Sequence, residues 1–88
     1  MSNSSQLVDD AEFRAWVAST TGIGGRQLGD IVSRSRRAAR MVDLRAAESD
    51  TDVEVLLLQS SDFQECSQFV RSQLRRAAKL LVAFRQAK

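Results

Sequence analysis

The sequence predicts an all-α fold, specifically a compact four-helix bundle, from three observations. Ala, Leu, Arg and Gln, which all favour helices, are frequent, and the 88 residues contain no proline. Apolar residues recur at steps of three and four along most of the chain. Three of the four glycines fall within residues 22–25, so few other positions interrupt a helix. The length suits one small domain, which we place at 9–88.

The first two helices are expected at about 9–20 and 26–44, after a flexible, serine-rich N-terminus at 1–8. The glycine-rich turn between them supplies the positive-φ freedom that ends the first helix. Its backbone amides could also bind a phosphate, but the turn lacks the lysine of a nucleotide loop, so a plain connector is preferred. The residues expected to be buried are Phe13, Trp16, Val17, Ile23, Leu28, Ile31, Val32, Ser35, Ala39 and Val42.

The other two helices are expected at about 52–59 and 62–85. Thr51 and Glu54 match a capping box, which places the start of the shorter helix. The longer helix carries an apolar stripe at unbroken helical spacing, which predicts one continuous rod. Cys66, within that stripe, is interpreted as a small buried hydrophobe and not as a reactive thiol. The stripe consists of Phe63, Cys66, Val70, Leu74, Ala77, Leu81 and Phe84.

Several classes of function are disfavoured by composition. Histidine and tyrosine are absent and cysteine occurs once, which removes histidine acid–base catalysis, Cys/His zinc sites, tyrosine nucleophiles and a disulfide framework. We therefore expect no enzyme, no metal, no cofactor and no small-molecule substrate. No apolar stretch is long enough to span a membrane, and the polar start at 1–6 is unlike a signal peptide. The expected location is the cytoplasm.

Charge is segregated along the chain, although the formal net charge is only +2. Residues 26–45 hold six bases and two acids, residues 46–65 hold six acids and no base, and residues 66–88 hold six bases and no acid. Eleven of the thirteen bases are arginine, whose forked head binds phosphate and carboxylate well. Two interpretations stay open. The acidic segment neutralises the basic helices within the fold, or the basic helices bind an anionic partner.

Basic side chains lie opposite the apolar stripes of the second and last predicted helices, at helical spacing. Like charges one turn apart repel one another, so stability alone does not account for them. Two faces with few acids favour binding to a phosphate backbone, and duplex DNA is the expected partner. The basic residues concerned are Arg26, Arg36, Arg37 and Arg40 on the second helix and Arg71, Arg75, Arg76 and Lys79 on the last.

The residue pattern also resembles a known family. An aromatic first helix at 13–17, a short glycine turn at 22–24, a serine- and arginine-rich run at 31–37 and a basic stretch at 70–78 closed by Phe84 occur in this order. This order is similar to that of the N-terminal core-binding, SAM-like domain of tyrosine recombinases and phage integrases. The resemblance covers most of the chain.

That resemblance implies a four-helix bundle that clamps duplex DNA while a separate domain carries the catalytic arginines, histidine and tyrosine. Because this chain has no histidine or tyrosine, it is expected to be a non-catalytic module of DNA recombination or integration in a mobile element. The DNA-contacting residues implied by the resemblance are Ser33, Arg36, Arg37 and Arg40 on the second helix and Arg71, Ser72, Arg75 and Lys79 on the last.

The alternative hypothesis is a helical interaction protein of phage or mobile-element type that binds itself or another protein. The acidic segment from Glu48 to Glu54 could dock on a basic surface, and the apolar run 55–58 could be buried in a homodimer. A chain this short has a small core, and oligomerisation is a common way to enlarge it.

Overall fold

The computed structural model describes residues 10–87, and every regular element in this part of the chain is helical. It measures 31 × 28 × 24 Å, which confirms the compact all-α class. A 3-10 helix at Leu44–Ala46 joins the second and third α-helices. The predicted flexible segment 1–8 lies outside the described residues. The α-helices are α1 (Asp10–Thr21), α2 (Gly25–Met41), α3 (Asp50–Leu58), α4 (Ser61–Gln64) and α5 (Gln68–Ala87).

The turn between α1 and α2 has the conformation that its glycines predict. Gly22 has φ +78° and Gly25 has φ +62°, values that L side chains rarely adopt. The Thr21 hydroxyl donates to the Val17 carbonyl at 2.7 Å and accepts from the Ile23 amide at 3.1 Å. Ile23 packs against the core, as expected. The turn therefore ends α1 and starts α2 within three residues.

The second helix ends earlier than 44, the boundary that its apolar spacing suggested. It ends at Met41, because Val42 is extended with φ −142°. The Asp43 carboxylate then accepts from the Arg45 amide at 3.1 Å and caps the 3-10 helix. This change of direction buries Leu44 completely.

The predicted capping box at Thr51 and Glu54 is wrong. The hydroxyl of Ser49, two residues earlier, accepts from the Asp52 amide at 3.2 Å and starts α3 at Asp50. The Asp52 carboxylate in turn accepts from the Glu48 amide at 2.9 Å. Thr51 is exposed. Two hydroxyl residues compete for one cap position, and Ser49 takes it, which releases Glu54 for contacts with another helix.

The single helix predicted at 62–85 is also wrong, because the chain forms α4 and α5 with a break at residues 65–67. The Ser60 hydroxyl caps α4 by accepting from the Phe63 amide at 3.2 Å. The Ser67 hydroxyl accepts from the Val70 amide at 3.2 Å, the geometry of a helix N-cap, and α5 begins there. Cys66, at the break, is only half-buried.

The buried apolar residues form one cluster around α5, which contacts α1, α2 and α3. Phe84 closes one end of this cluster, with its ring centroid 5.5 Å from those of both Phe13 and Trp16. Trp16 is half-buried, less than its spacing suggested. The side chains buried from α2 are Leu28, Ile31, Val32, Ser35 and Ala38, and those from α5 are Leu74, Ala77, Ala78, Leu81, Val82 and Phe84.

Candidate nucleic-acid interface

The basic side chains of α2 face solvent, as their position opposite the core predicts. Arg26, Arg36, Arg37 and Arg40 are all exposed. They do not act as one group. Arg36 forms an ion pair with Asp10 of α1, whereas Arg37 donates to the Cys66 sulfur at 3.6 Å. Their surface is therefore divided between the α1 side and the α4 side of the molecule.

Two of these arginines line an open groove beside α4, which we call the Cys66 groove. It has a volume of about 480 Å³. Arg37 and Arg40 share it with the acids Asp62 and Glu65. Phosphate would meet carboxylates as well as guanidinium groups there, which weakens attraction to a polyanion. The groove is lined by Arg37, Arg40, Met41, Asp62, Glu65 and Cys66.

A second open groove follows the exposed side of α5, and we call it the α5 groove. Its volume is about 400 Å³, and all of its lining side chains are basic, hydroxyl or aliphatic. Three bases and one serine in it were predicted as DNA contacts from the sequence. Thr21, the last residue of α1, also lines it. The groove is lined by Thr21, Ser72, Arg75, Arg76, Lys79 and Leu80.

Glu54 of α3 binds two bases of this groove from the side. Lys79 Nζ donates to Glu54 Oε2 at 2.6 Å, and Arg75 Nε lies 3.1 Å from Glu54 Oε1. The Arg75 guanidinium carbon also lies 5.7 Å from the centre of the Phe63 ring, within cation–π range. Arg75 and Lys79 are thus held in fixed positions by groups of α3 and α4.

These contacts correct the prediction that Arg71, Arg75 and Lys79 face outward. All three are half-buried, and Arg75 and Lys79 turn toward Glu54 of α3, with Arg75 also lying over Phe63 of α4. Arg76, one position on, is the exposed base of α5. The interpretation that acids neutralise bases within the fold therefore holds for Glu54 and its two partners. It does not hold for Arg76, which has no ion pair within residues 10–87.

The remaining predicted contacts lie outside both grooves. Arg26, Ser33 and Arg36 are exposed on α2, and Arg71 is half-buried at the start of α5. The structure thus brings together Ser72, Arg75, Arg76 and Lys79 in one groove and Arg37 and Arg40 in another. The other candidates stay apart.

Sequence reasoning missed two features of this surface. Phe69 is exposed, and its position off the apolar stripe of the last helix was the signal that could have shown it. Arg85 is structural, since it donates to the carbonyls of Leu44 at 2.7 Å and Arg45 at 3.3 Å. No signal in the sequence indicates that contact, because its partners lie about 40 residues earlier.

The Lys79 hydrogen bond lowers the pKa of Glu54 below its ordinary value of 4.5, and the positive charges of Lys79 and Arg75 add to this effect against a desolvation cost. A lowered folded-state pKa stabilises the fold above 4.5, and this contribution is lost as the pH falls through the lowered value.

We expect Glu54→Gln to unfold more easily than wild type at neutral pH, by about 1 kcal/mol or less because the pair is partly exposed. The difference should disappear at an acidic pH below the lowered pKa of Glu54, where its carboxyl is protonated. Urea denaturation of both proteins at the two pH values measures this. A difference that is the same at both would mean that the ion pairs do not form in solution.

Residues 10–87 lack two features. They contain no group of three or more acidic, cysteine or histidine side chains placed to hold a metal ion. None of their helices is long and apolar enough to cross a bilayer.

Comparison with known proteins identifies no relative of this chain. No family model matches the sequence, no curated protein matches it, and no solved structure matches its fold. The resemblance to the core-binding domain of tyrosine recombinases therefore depends on the residue pattern alone. The geometry of the two grooves is the basis on which a function can be argued.

Proposed function

We propose that this chain is a non-catalytic DNA-binding module of the SAM-like core-binding type, and that it binds the phosphate backbone of duplex DNA in the α5 groove. The observation that carries the proposal is the lining of that groove. Arg76 presents unpaired positive charge there, Arg75 and Lys79 add basic donors that Glu54 contacts from the side, and the Ser72 hydroxyl can donate to a phosphate oxygen. No carboxylate lines the groove itself.

The position of the bases also suits this function. Arg75 contacts Glu54 through Nε, and its guanidinium has other N–H groups to donate to phosphate. Arg76 needs no rearrangement, because it is exposed and makes no ion pair within the described chain. Arginine and lysine side chains that are already ordered lose less conformational entropy on binding. The α5 groove therefore combines charge with preorganised donors.

The Cys66 groove serves as an internal comparison. Two acids line the Cys66 groove together with its two arginines. No acid lines the α5 groove, and Glu54 contacts its basic residues from outside the lining. Arg76 and Arg40 are both exposed and both without an ion pair in residues 10–87. Replacing either arginine by alanine removes the same side chain and the same charge. A difference in DNA affinity between the two variants therefore reports where the interface lies.

We expect Arg76→Ala to weaken duplex binding by about five- to tenfold and to reduce the slope of log K against log salt by about one unit. Arg40→Ala should change affinity by less than about twofold at physiological salt, where screening limits charge effects to about 8 Å. Fluorescence anisotropy of a labelled duplex of about 20 base pairs, titrated at low and physiological salt, measures both.

Wild-type protein should bind this duplex with micromolar affinity that falls steeply with salt, because few phosphate contacts are available. Absence of binding at low salt would reject the proposed function. Equal losses in the two variants, or a larger loss with Arg40→Ala, would place the interface outside the α5 groove.

A second candidate function, self-association, is favoured by the exposed apolar residues of α3. Val55 is 48% exposed and Leu58 is 57% exposed, although both are large and apolar. Burial of these side chains against a second copy would enlarge a small core. Sedimentation equilibrium tests it: a mass twice 9.8 kDa that returns to 9.8 kDa in Leu58→Asp would support a dimer through α3.

A further inference from the structure

Phe69 is the most exposed large apolar side chain in residues 10–87, at 69% of its free area. It is the second residue of α5, one turn before Ser72. A single exposed apolar residue is common in proteins and by itself indicates nothing. What distinguishes Phe69 is its place relative to the α5 groove.

At 100° per residue, Phe69, Ser72, Arg76 and Leu80 lie within an arc of about 80° on the exposed side of α5. Three of these four side chains line the groove. Along the helix axis Phe69 precedes Ser72 by about 4.5 Å and Arg76 by about 10 Å. The aromatic ring therefore stands at the N-terminal end of the basic groove, on the same side of the helix.

An exposed aromatic ring beside basic side chains suits a ligand that carries both negative charge and flat rings. Single-stranded nucleic acid has this combination. Its phosphates bind the basic side chains of a groove, and its unpaired nucleobases stack on aromatic rings. An intact duplex keeps its bases inside and offers a ring nothing to stack on. The other exposed large apolar side chains within residues 10–87, Val55 and Leu58, lie on α3, whose charged residues are all acidic.

We propose that Phe69 stacks on an unpaired nucleobase of a DNA strand whose phosphates lie in the α5 groove. The chain then binds single-stranded DNA through phosphate contacts and stacking, and binds duplex through phosphate contacts alone. This inference depends on the proposed function, because it takes the α5 groove as the phosphate site. It adds that the groove, together with Phe69, recognises single-stranded DNA.

Phe69→Ala tests the inference in the anisotropy assay, with a labelled single strand of about 20 nucleotides and the matching duplex. The variant should bind the single strand about tenfold more weakly and the duplex within about twofold of wild type. Phe69→Trp should retain single-strand binding, since a larger ring stacks at least as well. Gln68→Ala, which changes the exposed residue next to Phe69 and keeps the ring, should leave both affinities unchanged.

A local probe reports the stacking directly. We expect 2-aminopurine in the single strand to change its fluorescence on binding wild type and to change it much less on binding Phe69→Ala. Single-strand affinity that is insensitive to Phe69→Ala would overturn the stacking while leaving duplex binding in the groove intact. Equal weakening of both DNA forms would also overturn it, since a duplex has no unpaired nucleobase and so no stacking contact that the variant could remove. If wild type binds neither form, the proposed function itself fails.

Discussion

Replacing Phe84 with alanine is expected to destabilise the fold by about 3–5 kcal/mol, the usual range for loss of a buried phenylalanine. Phe84 is 4% exposed, and its ring contacts those of both Phe13 and Trp16. The cavity would lie where α1 crosses the C-terminal end of α5. Small domains have a total stability of about 5 kcal/mol, so a large fraction of Phe84→Ala should be unfolded at 25 °C.

Urea denaturation followed by tryptophan fluorescence measures this, because Trp16 is the single tryptophan and contacts the Phe84 ring directly. Phe69→Ala is the matched control, since it removes the same side chain from the same helix at an exposed site. Its stability should stay within about 0.5 kcal/mol of wild type. Equal losses in the two variants would contradict the packing of α5 against α1.

Residue spacing was sufficient to predict the elements whose burial follows one unbroken helical period. Phe13 and Val17 of α1 and Leu28, Ile31 and Val32 of α2 are all buried, and the arginines opposite them on α2 are exposed. The turn was also predictable, because clustered glycines have a direct conformational meaning. These features depend on residues close together in the sequence, so they can be predicted from the sequence alone.

Helix boundaries depend on competition between nearby groups, and spacing does not decide that competition. The apolar stripe from Phe63 to Leu74 keeps its period across the break at residues 65–67, so periodicity predicts one helix. The cap formed by Ser67 decides otherwise. In the same way Ser49 replaces Thr51 as the cap of α3. A serine two residues away was enough to move the start of a helix.

The candidate site was predictable in its residue types and not in its contacts. Arg75, Arg76 and Lys79 were identified from their spacing and Ser72 from the family resemblance, and all four line one groove. Their partner Glu54 lies 25 residues before Lys79, and only the packing of α3 on α5 brings the two together. Which bases are neutralised is therefore a tertiary property, whereas which bases share a helix face is a local one.

The double substitution Arg75→Ala and Lys79→Ala is expected to weaken duplex binding by about a hundredfold at physiological salt, more than any single change in the α5 groove. It removes two positive charges that line the groove, and it also leaves the Glu54 carboxylate without its two partners. An unpaired carboxylate at the side of the groove then repels phosphate. Anisotropy titrations over a range of salt concentrations measure the loss, with a salt slope reduced by about two units.

Glu54→Gln separates the two parts of this loss. Added to the double variant, it removes the repelling carboxylate and should recover about tenfold of the lost affinity. In the otherwise wild-type protein it should strengthen duplex binding severalfold, because the loss of a carboxylate that competes with phosphate outweighs the loss of the contact that orders Lys79 and Arg75. Weaker binding by the single variant would mean that Glu54 acts mainly by holding Arg75 in position. Unchanged binding by the double variant would exclude the α3-facing side of α5 from the interface and leave Arg76 as the base that contacts DNA.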